Sequence, residues 1–246
     1  MKAAKAHAAA GNRNLIEAHG LVKNFDGFSL RDVDLVVEPG QVVGFVGKNG
    51  AGKSTTIRAL LGMISLDGGS ARVLGHDSWA LSSESASRVK GQIGVVFDTL
   101  SLPGHLRVRE VGTMMAGAYG AAWDADGFVR RLEGFGLDGA KNLKDLSRGM
   151  GMKLSLACAL SHGARLLILD EATAGLDPMA RDEILDILST FVAEEGDDGS
   201  LGNGILMSSH ITSDLEKIAD VVVCIDQGRI VFSAPKEAIT VNKDHH

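Results

Sequence analysis

The sequence has only two cysteines, no long apolar run and no excess of basic residues. Cys158 and Cys224 are too few for a disulfide framework, so both are interpreted as small buried hydrophobic residues in a reducing, cytoplasmic protein. No run reaches the 18 apolar residues that suggest a membrane-spanning helix, and the N-terminal stretch lacks the apolar core of a signal peptide. The chain is therefore expected not to span a membrane by itself.

The charge balance argues against one class of partner. There are 25 lysines and arginines against 31 aspartates and glutamates, a formal net charge of −6. Nonspecific binding to a nucleic-acid backbone needs clustered basic side chains, so no nucleic-acid partner is expected. The length of 246 residues suits one large domain, or one domain with an inserted subdomain.

The order of the patterns predicts an α/β fold. Two strands with a turn at Asp26-Gly27 precede apolar strands that alternate with helices, which indicates an N-terminal antiparallel β subdomain on a mostly parallel core sheet. Between these strands, one stretch has apolar residues at helical spacing and is predicted to be an inserted α-helical subdomain. The predicted divisions are the core at 14–98 and 149–235, the helical subdomain at 99–148, and tails at 1–13 and 236–246.

A phosphate-binding loop is predicted where an apolar strand turns into a helix. The segment GKNGAGKST matches the pattern G-x-x-x-x-G-K-[ST] in the strand–loop–helix context that this pattern requires. Its glycines allow backbone N–H groups to surround phosphates, Lys53 can reach the β- and γ-phosphates, and the Ser54 hydroxyl suits Mg²⁺. The predicted ATP-binding residues of the loop are Gly47, Lys48, Asn49, Gly50, Ala51, Gly52, Lys53, Ser54 and Thr55.

Two acids and a histidine follow apolar strands further along the chain. Asp170 ends the strand LLILD, where P-loop enzymes hold Mg²⁺ through water, and Glu171 comes next, where a carboxylate can act as general base. His210 ends the strand GILMSSH and emerges at the same edge if the two strands are parallel. Taken alone, such acids are more often a solvated pair at a strand end, and a single histidine is more often a core or helix N-terminal residue. Behind a phosphate loop, they predict a catalytic centre of Lys53, Glu171 and His210.

In this order the motifs resemble the ATP-binding cassette (ABC) ATPases, the motor subunits of ABC transporters. The resemblance runs from about Leu15 to Pro235. It is carried by the phosphate loop, the acidic strand end, AGLD at 174–177, His210, and a second loop with the sequence LSRGM. Ser147 of this second loop lies 23 residues before Asp170. It implies the P-loop NTPase (RecA-like) fold, with ATP and Mg²⁺ as ligands.

The resemblance also assigns the second loop. In this family two such domains face head to tail, and each ATP lies between the phosphate loop of one chain and the signature loop of the other. This implies that Ser147 and the Gly149 backbone contact the partner's γ-phosphate, and that Asp177 joins the two sites. Phe25 matches the aromatic residue that stacks on adenine, although a core phenylalanine would equally explain it.

Several residues depart from the family pattern. The usual L-S-G-G-Q is Leu-Ser-Arg-Gly-Met here, so Arg148 adds a cation whose partner the sequence does not reveal. Asp98 stands in place of the usual glutamine, where it can still contact Mg²⁺ or its water. These departures resemble those of a bacterial branch that exports peptide antibiotics and related amphipathic peptides.

The resemblance implies an ATPase subunit at the cytoplasmic face of the cell membrane, which powers export through a separate transmembrane permease. The second subunit can be identical or different. The alternative is a soluble ABC ATPase with non-membrane partners, either iron–sulfur assembly-like or nucleic-acid-associated. The spacing of 94 residues between Lys53 and Ser147, without heptads, disfavours the chromosome-organising type.

Overall fold

The computed structural model describes residues 14–82, 87–98, 101–194 and 202–240. The predicted tail at 1–13, the end of the second tail from 241, and residues 99–100 at the predicted start of the helical subdomain lie outside these ranges. In the described residues the strands are β1 Ile16–Phe25, β2 Phe28–Val37, β3 Val42–Val46, β4 Gly68–Val73, β5 His76–Asp77, β6 Ile93–Phe97, β7 Leu166–Asp170, β8 Gly204–Ser209, β9 Val221–Asp226 and β10 Arg229–Pro235. The α-helices are α1 Lys53–Leu60, α2 Ser87–Lys90, α3 Val108–Tyr119, α4 Ala125–Gly134, α5 Arg148–Leu160, α6 Pro178–Ala193, α7 Thr212–Ile218 and α8 Lys236–Thr240.

The N-terminal strands form an antiparallel sheet in the order β2-β1-β4-β5. β1 and β2 are a hairpin that turns at Asp26-Gly27, and Gly27 takes the left-handed φ of 81° that such a turn favours in glycine. This confirms the predicted antiparallel β subdomain. The sequence did not predict β5 or the pairing of β4 with β1.

The core sheet has six strands in the order β10-β9-β3-β8-β7-β6, and all of its pairings are parallel except the β9–β10 hairpin. β3, β7 and β8 are apolar and buried along nearly their whole length, without alternation. Such continuous burial is typical of parallel strands that are covered on both faces. The predicted parallel core is thereby confirmed.

The register of the core sheet aligns the carboxyl ends of four strands. Phe97 of β6 pairs with Asp170 of β7, which pairs with Ser208 of β8. Val46 of β3 pairs with Ser209 of the same β8. The residues that follow these strand ends therefore emerge side by side, at the edge where open parallel sheets bind ligands.

Three apolar clusters support this edge. One joins the antiparallel sheet to one face of the core sheet, and the second packs α5, α6 and α7 on the opposite face. The third joins α3 and α4 to α5 through residues that include Val111, Phe128 and Leu154. It contains the helices predicted within 99–148 and also continues into α5, so the domain boundary at residue 148 stays a prediction.

The two cysteines differ from each other in burial. Cys158 is buried among the third cluster, and this burial raises the pKa of its thiol to about 12. Cys224 on β9 is only partly buried, which corrects the prediction that both are core residues. Alternate side chains of a strand point to opposite faces, and Cys224 lies between the buried Val223 and Ile225. Among the described residues, no helix has the length and apolarity needed to cross a membrane.

Candidate active site

The phosphate loop connects β3 to α1 and depends on its glycines. Gly50 and Gly52 adopt left-handed φ values of 81° and 119°, which glycine reaches without steric cost. A Cβ atom on Gly47 would collide with the carbonyl oxygen of Ile225 in the adjacent strand β9. The loop is thus held tightly against the core sheet, and Ser54 and Thr55 follow in the first turn of α1.

The hairpin turn between β9 and β10 is hydrogen-bonded to the phosphate loop. Gly228 donates its N–H to the carbonyl of Ala51 at 2.8 Å, and its own carbonyl accepts from the N–H of Arg31 at 2.8 Å. The turn therefore connects the phosphate loop to β2 of the other sheet.

Lys53 lies inside the loop with its side chain almost fully buried. Its ammonium donates to the carbonyl oxygen of Gly47 at 2.6 Å and lies 3.0 Å from Oε1 of Glu171. The side chain is only 5% exposed. A buried lysine needs such partners, because an isolated ammonium is costly to remove from water.

Glu171 connects the phosphate loop to the end of β8. Its Oε2 lies 2.6 Å from Nδ1 of His210, and its backbone has a left-handed φ of 55°, which is uncommon outside glycine. Burial alone would raise the pKa of Glu171, but hydrogen bonds and charge attraction from Lys53 and His210 outweigh burial and lower that pKa. The carboxylate is therefore ionised at neutral pH and can accept a proton.

The contact with Glu171 also determines the proton on the His210 ring. An ionised carboxylate only accepts hydrogen bonds, so Nδ1 of His210 carries the proton that they share. Nε2 is then an acceptor in the neutral ring and a donor only in the imidazolium. Of the predicted catalytic residues, Glu171 therefore contacts both Lys53 and His210 directly.

Asp170, the predicted metal ligand, is oriented by a serine that sequence analysis missed. The hydroxyl of Ser208 donates to Oδ1 of Asp170 at 2.7 Å. Ser208 is fully buried in the central strand β8. The signal in the sequence was its position two residues before His210, which becomes informative only when β8 is known to pair with β7.

The signature loop lies at the start of α5, where three predicted residues have structural contacts. Ser147 is the N-cap of α5 and accepts the N–H of Met150 at 3.2 Å. Asp177 caps α6 in the same way, accepting the N–H of Ala180 at 3.0 Å. A Cβ on Gly149 would lie 2.9 Å from that of Ala180, so the glycine lets the two helices approach closely. Their predicted roles toward a second chain stay predictions.

Arg148 and Asp98, which both differ from the family pattern, lie close together in the structure. Arg148 in the signature loop lies 3.7 Å from Oδ2 of Asp98, which follows strand β6. The same guanidinium also lies against the AGLD loop, because a Cβ on Gly175 would be 3.0 Å from one of its nitrogens. Asp98 is therefore directed toward a cation of its own chain, and its predicted contact with Mg²⁺ stays a prediction.

We expect the Asp98–Arg148 pair to contribute little to stability. Both side chains are about half exposed, and exposed ion pairs contribute about 0.2–1 kcal/mol to the free energy of unfolding. A double-mutant cycle with Asp98→Asn and Arg148→Gln, followed by urea denaturation, is expected to give a coupling energy in this range that decreases in high salt. The similarly exposed pair Arg72–Asp77 is the control. A coupling energy above 2 kcal/mol would contradict this expectation.

A second ion pair, also missed by sequence analysis, links the AGLD loop to the helix that follows His210. Arg181 of α6 donates to the carbonyl of Leu176 at 3.1 Å, and its Nε lies 3.6 Å from Oδ1 of Asp214 on α7. Asp214 is only 1% exposed. The loop after β7 and the helix after β8 are therefore joined through one guanidinium.

Phe25, the predicted adenine-stacking residue, lies at the end of β1 and is 46% exposed. The ammonium of Lys23 lies 5.7 Å from the ring centroid and pairs with Asp67 at 3.0 Å. A hydrogen bond from the backbone N–H of Asn24 and the Lys23 charge lower the pKa of Asp67. The ring is not a core side chain, so the core alternative for Phe25 is wrong and the stacking role stays a prediction.

Comparison with known proteins shows the family of this chain. The sequence profile of the ABC transporter family matches residues 30–174. The chain is 37% identical over 221 residues to the daunorubicin/doxorubicin resistance ATP-binding protein DrrA of Streptomyces peucetius, covering 88% of this chain and 64% of that protein. It is 31% identical over 220 residues to the bacitracin transport ATP-binding protein BcrA of Enterococcus faecalis, covering 88% of this chain and 68% of that protein.

A solved structure of an ATP-binding subunit of an ABC transporter has the same fold. It superposes with a TM-score of 0.79 at 28% identity, covering 94% of this chain and 93% of that one. The chain spans less than two thirds of the length of DrrA. From the matched profile, the relatives and the fold, the chain belongs to the ABC transporter family and has the P-loop NTPase fold of its ATP-binding subunits.

Proposed function

We propose that this chain is the ATP-hydrolysing subunit of an ABC transporter, which closes with a second such subunit around two ATP molecules and drives a separate membrane permease. The observation that carries the proposal is the direct contact of Glu171 with both Lys53 of the phosphate loop and His210 of the next strand end. Three unrelated segments of the chain supply these groups. Their convergence at one sheet edge suits phosphoryl transfer to water.

The phosphate loop and Lys53 bind the triphosphate in this proposal. The N–H groups of the loop and of the first turn of α1 face the phosphates, and the helix dipole favours their negative charge. A γ-phosphate competes with Glu171 for the Lys53 ammonium. Binding therefore weakens the Lys53–Glu171 pair and makes Oε1 of Glu171 available as a proton acceptor.

Mg²⁺ fits the donors at this edge of the sheet. The Ser54 hydroxyl and the Asp170 carboxylate are hard oxygen donors, which suit an ion that keeps several waters and binds mainly phosphate. Within the described ranges, no cluster of three or more His, Cys, Asp or Glu side chains could hold a metal alone. When bound together with the nucleotide, the ion would neutralise charge on the phosphates.

Glu171 acts as the general base in the proposed hydrolysis. The oxygen of a water attacks the γ-phosphorus, and the bond from that phosphorus to the β–γ bridging oxygen breaks. The bond's electron pair leaves with ADP, and Glu171 takes the proton of the attacking water. His210 holds the carboxylate through Nδ1 at 2.6 Å, so the base is oriented before the water attacks the γ-phosphorus.

The second chain completes each site in the proposal. The hydroxyl of Ser147, which accepts from Met150, can still donate to a partner's γ-phosphate, and the start of α5 directs its dipole toward that anion. Gly149 and Asp177 belong to the same face. Phe25 stacks on adenine from its exposed position at the end of β1.

Export from the cytoplasmic face of the membrane is the direction we propose. Its support is the likeness to relatives named for daunorubicin/doxorubicin resistance and for bacitracin transport. The transported compound would accordingly be amphipathic, a drug-like molecule or a peptide. The permease would supply the path for it.

The first test measures the affinity of the purified chain for ATP in the presence of Mg²⁺. Lys53→Ala is expected to weaken ATP binding about tenfold or more, because a hydrogen bond from a charged group contributes roughly 1.5–3 kcal/mol. Lys90→Ala, at an exposed position on α2, is the matched control and is expected to match wild type. Equal ATP affinity in the Lys53 and Lys90 variants would refute the assignment of the phosphate loop.

The second test identifies the partner by purification from membranes in mild detergent. Association with a polytopic membrane protein, strengthened or weakened by ATP, supports the transporter assignment. Association with soluble proteins alone contradicts it and favours the class with non-membrane partners.

A further inference from the structure

Ser208 is a buried polar residue that contacts both acids of the site. It lies in the middle of the core sheet, paired with Phe45 of β3 on one side and with Asp170 of β7 on the other. Its side chain is fully inaccessible to solvent. A hydroxyl in such a position needs hydrogen-bond partners, and those it has are the two adjacent residues of the acidic strand end.

The single hydroxyl group of Ser208 makes two different contacts. It donates to Oδ1 of Asp170 at 2.7 Å and accepts the backbone N–H of Glu171 at 3.1 Å. The carbonyl oxygen of Ser208 accepts the same N–H at 3.2 Å. The side-chain direction of Asp170 and the backbone direction of Glu171 are therefore determined by one residue of the neighbouring strand.

The contact with Glu171 is made at a residue whose backbone conformation is unfavourable. Glu171 has a φ of 55°, a conformation that a residue with a side chain keeps only when its surroundings enforce it. The Ser208 hydroxyl and carbonyl both hold the N–H of this residue. The strained turn directs the Glu171 side chain toward Lys53 and His210, so the turn and the catalytic contacts depend on each other.

We propose that Ser208 is a positioning residue that sets the distance between the magnesium-facing carboxylate of Asp170 and the general base Glu171. This inference rests on the proposed ATPase function. The two acids are neighbours in sequence but have different tasks, and Ser208 holds one by its side chain and the other by its backbone. Misplacement of reacting groups by about 1 Å can cost about 100-fold in rate.

The proposal predicts a selective effect of Ser208→Ala. The variant is expected to lower kcat for ATP hydrolysis about 10- to 100-fold while the KM for ATP changes less than about threefold. The affinity of the ATP complex for Mn²⁺, followed by electron paramagnetic resonance, is expected to fall about tenfold, as is common when the partner of a ligating carboxylate is removed. Ser208→Thr retains the hydroxyl and is expected to recover most of both losses.

Ser209→Ala is the matched control for these measurements. Ser209 is the adjacent residue in β8, 1% exposed, and its hydroxyl bonds to Ile211 instead of the acids. Both alanine variants remove one buried serine hydroxyl, so a general weakening of β8 would affect them equally. The unfolding temperature of each variant separates such weakening from misplacement of the acids.

Three outcomes decide the matter. A kcat and an Mn²⁺ affinity of Ser208→Ala that match those of Ser209→Ala would overturn the positioning role. Losses confined to Ser208→Ala and recovered by threonine would support it. A wild-type chain that binds Mn²⁺ and ATP without turnover would contradict the proposed function. In that case the difference in Mn²⁺ affinity between the two alanine variants would still show whether Ser208 positions Asp170.

Discussion

Replacing Glu171 with glutamine is expected to lower kcat for ATP hydrolysis by about 100-fold or more while ATP binding is retained. General base catalysis by a positioned side chain contributes about 10²- to 10⁴-fold, and glutamine cannot accept the proton of the attacking water. Glutamine keeps the shape of the side chain and an oxygen that can accept from His210. The ATP-bound dimer is therefore expected to persist long enough to be separated by gel filtration.

The pH dependence of folding provides a second signature of this residue. Because the folded protein lowers the pKa of Glu171, its ionised carboxylate stabilises the fold at pH values above its ordinary pKa. That contribution is lost as the pH falls through the lowered pKa of the folded state. Wild type is thus expected to be more stable than Glu171→Gln at neutral pH, with a difference that decreases in acid.

Glu183→Gln is the matched control for this prediction. Glu183 of α6 is half exposed and pairs with Lys153 of α5 at 2.7 Å, and neither residue belongs to the phosphate loop. The same chemical change there is expected to leave kcat at the wild-type level. Hydrolysis by Glu171→Gln at the wild-type rate would show that another group is the base.

Replacing Ser147 with arginine is expected to abolish ATP-dependent dimerisation while the isolated chain still binds ATP. Ser147 is the N-cap of α5, and the proposal places its hydroxyl at the partner's γ-phosphate. A long side chain at that point prevents close approach of the two chains. The phosphate loop, which binds the nucleotide in the same chain, belongs to another segment and is not changed.

Loss of the cap has to be separated from the steric effect. Ser147→Asn keeps an N-capping side chain. Ser147→Ala loses the hydrogen bond from the N–H of Met150, which lowers the free energy of unfolding by about 1 kcal/mol. Ser233→Arg on the exposed face of β10 introduces the same side chain away from the predicted dimer face. The expected order in light scattering with ATP is dimer for Ser233→Arg, weaker dimer for Ser147→Ala, and monomer for Ser147→Arg. Dimerisation of Ser147→Arg at the ATP concentration at which the wild type dimerises would contradict the proposed contact of Ser147 with the partner's γ-phosphate.

The local motifs of this protein were predictable because each one combines a residue pattern with its own secondary structure. The phosphate loop requires glycines at positions of left-handed backbone or close approach, and Gly47, Gly50 and Gly52 meet those requirements in the structure. Continuous apolar runs likewise predicted the buried strands. The partial exposure of Cys224 was missed, because its strand has a more exposed face that composition does not reveal.

Contacts between distant segments were not predictable from the same patterns. Arg148 and Asp98 each appeared as an isolated departure from a family motif, and 50 positions of sequence separate them. They meet because β6 and the start of α5 lie at the same end of the core sheet. The Arg181–Asp214 pair was missed for the same reason, since neither residue belongs to a motif.

The sequence by itself determined the kind of chemistry: a loop for phosphates, an acidic strand end, a histidine at a strand end and a second glycine-containing loop with a serine. These depend on local backbone geometry and on side-chain type, which a short segment specifies. The tertiary structure decided which groups touch. The parallel register of β7 and β8 places Ser208 beside Asp170 and His210 beside Glu171, because aligned strand ends bring residues almost 40 positions apart within hydrogen-bond distance.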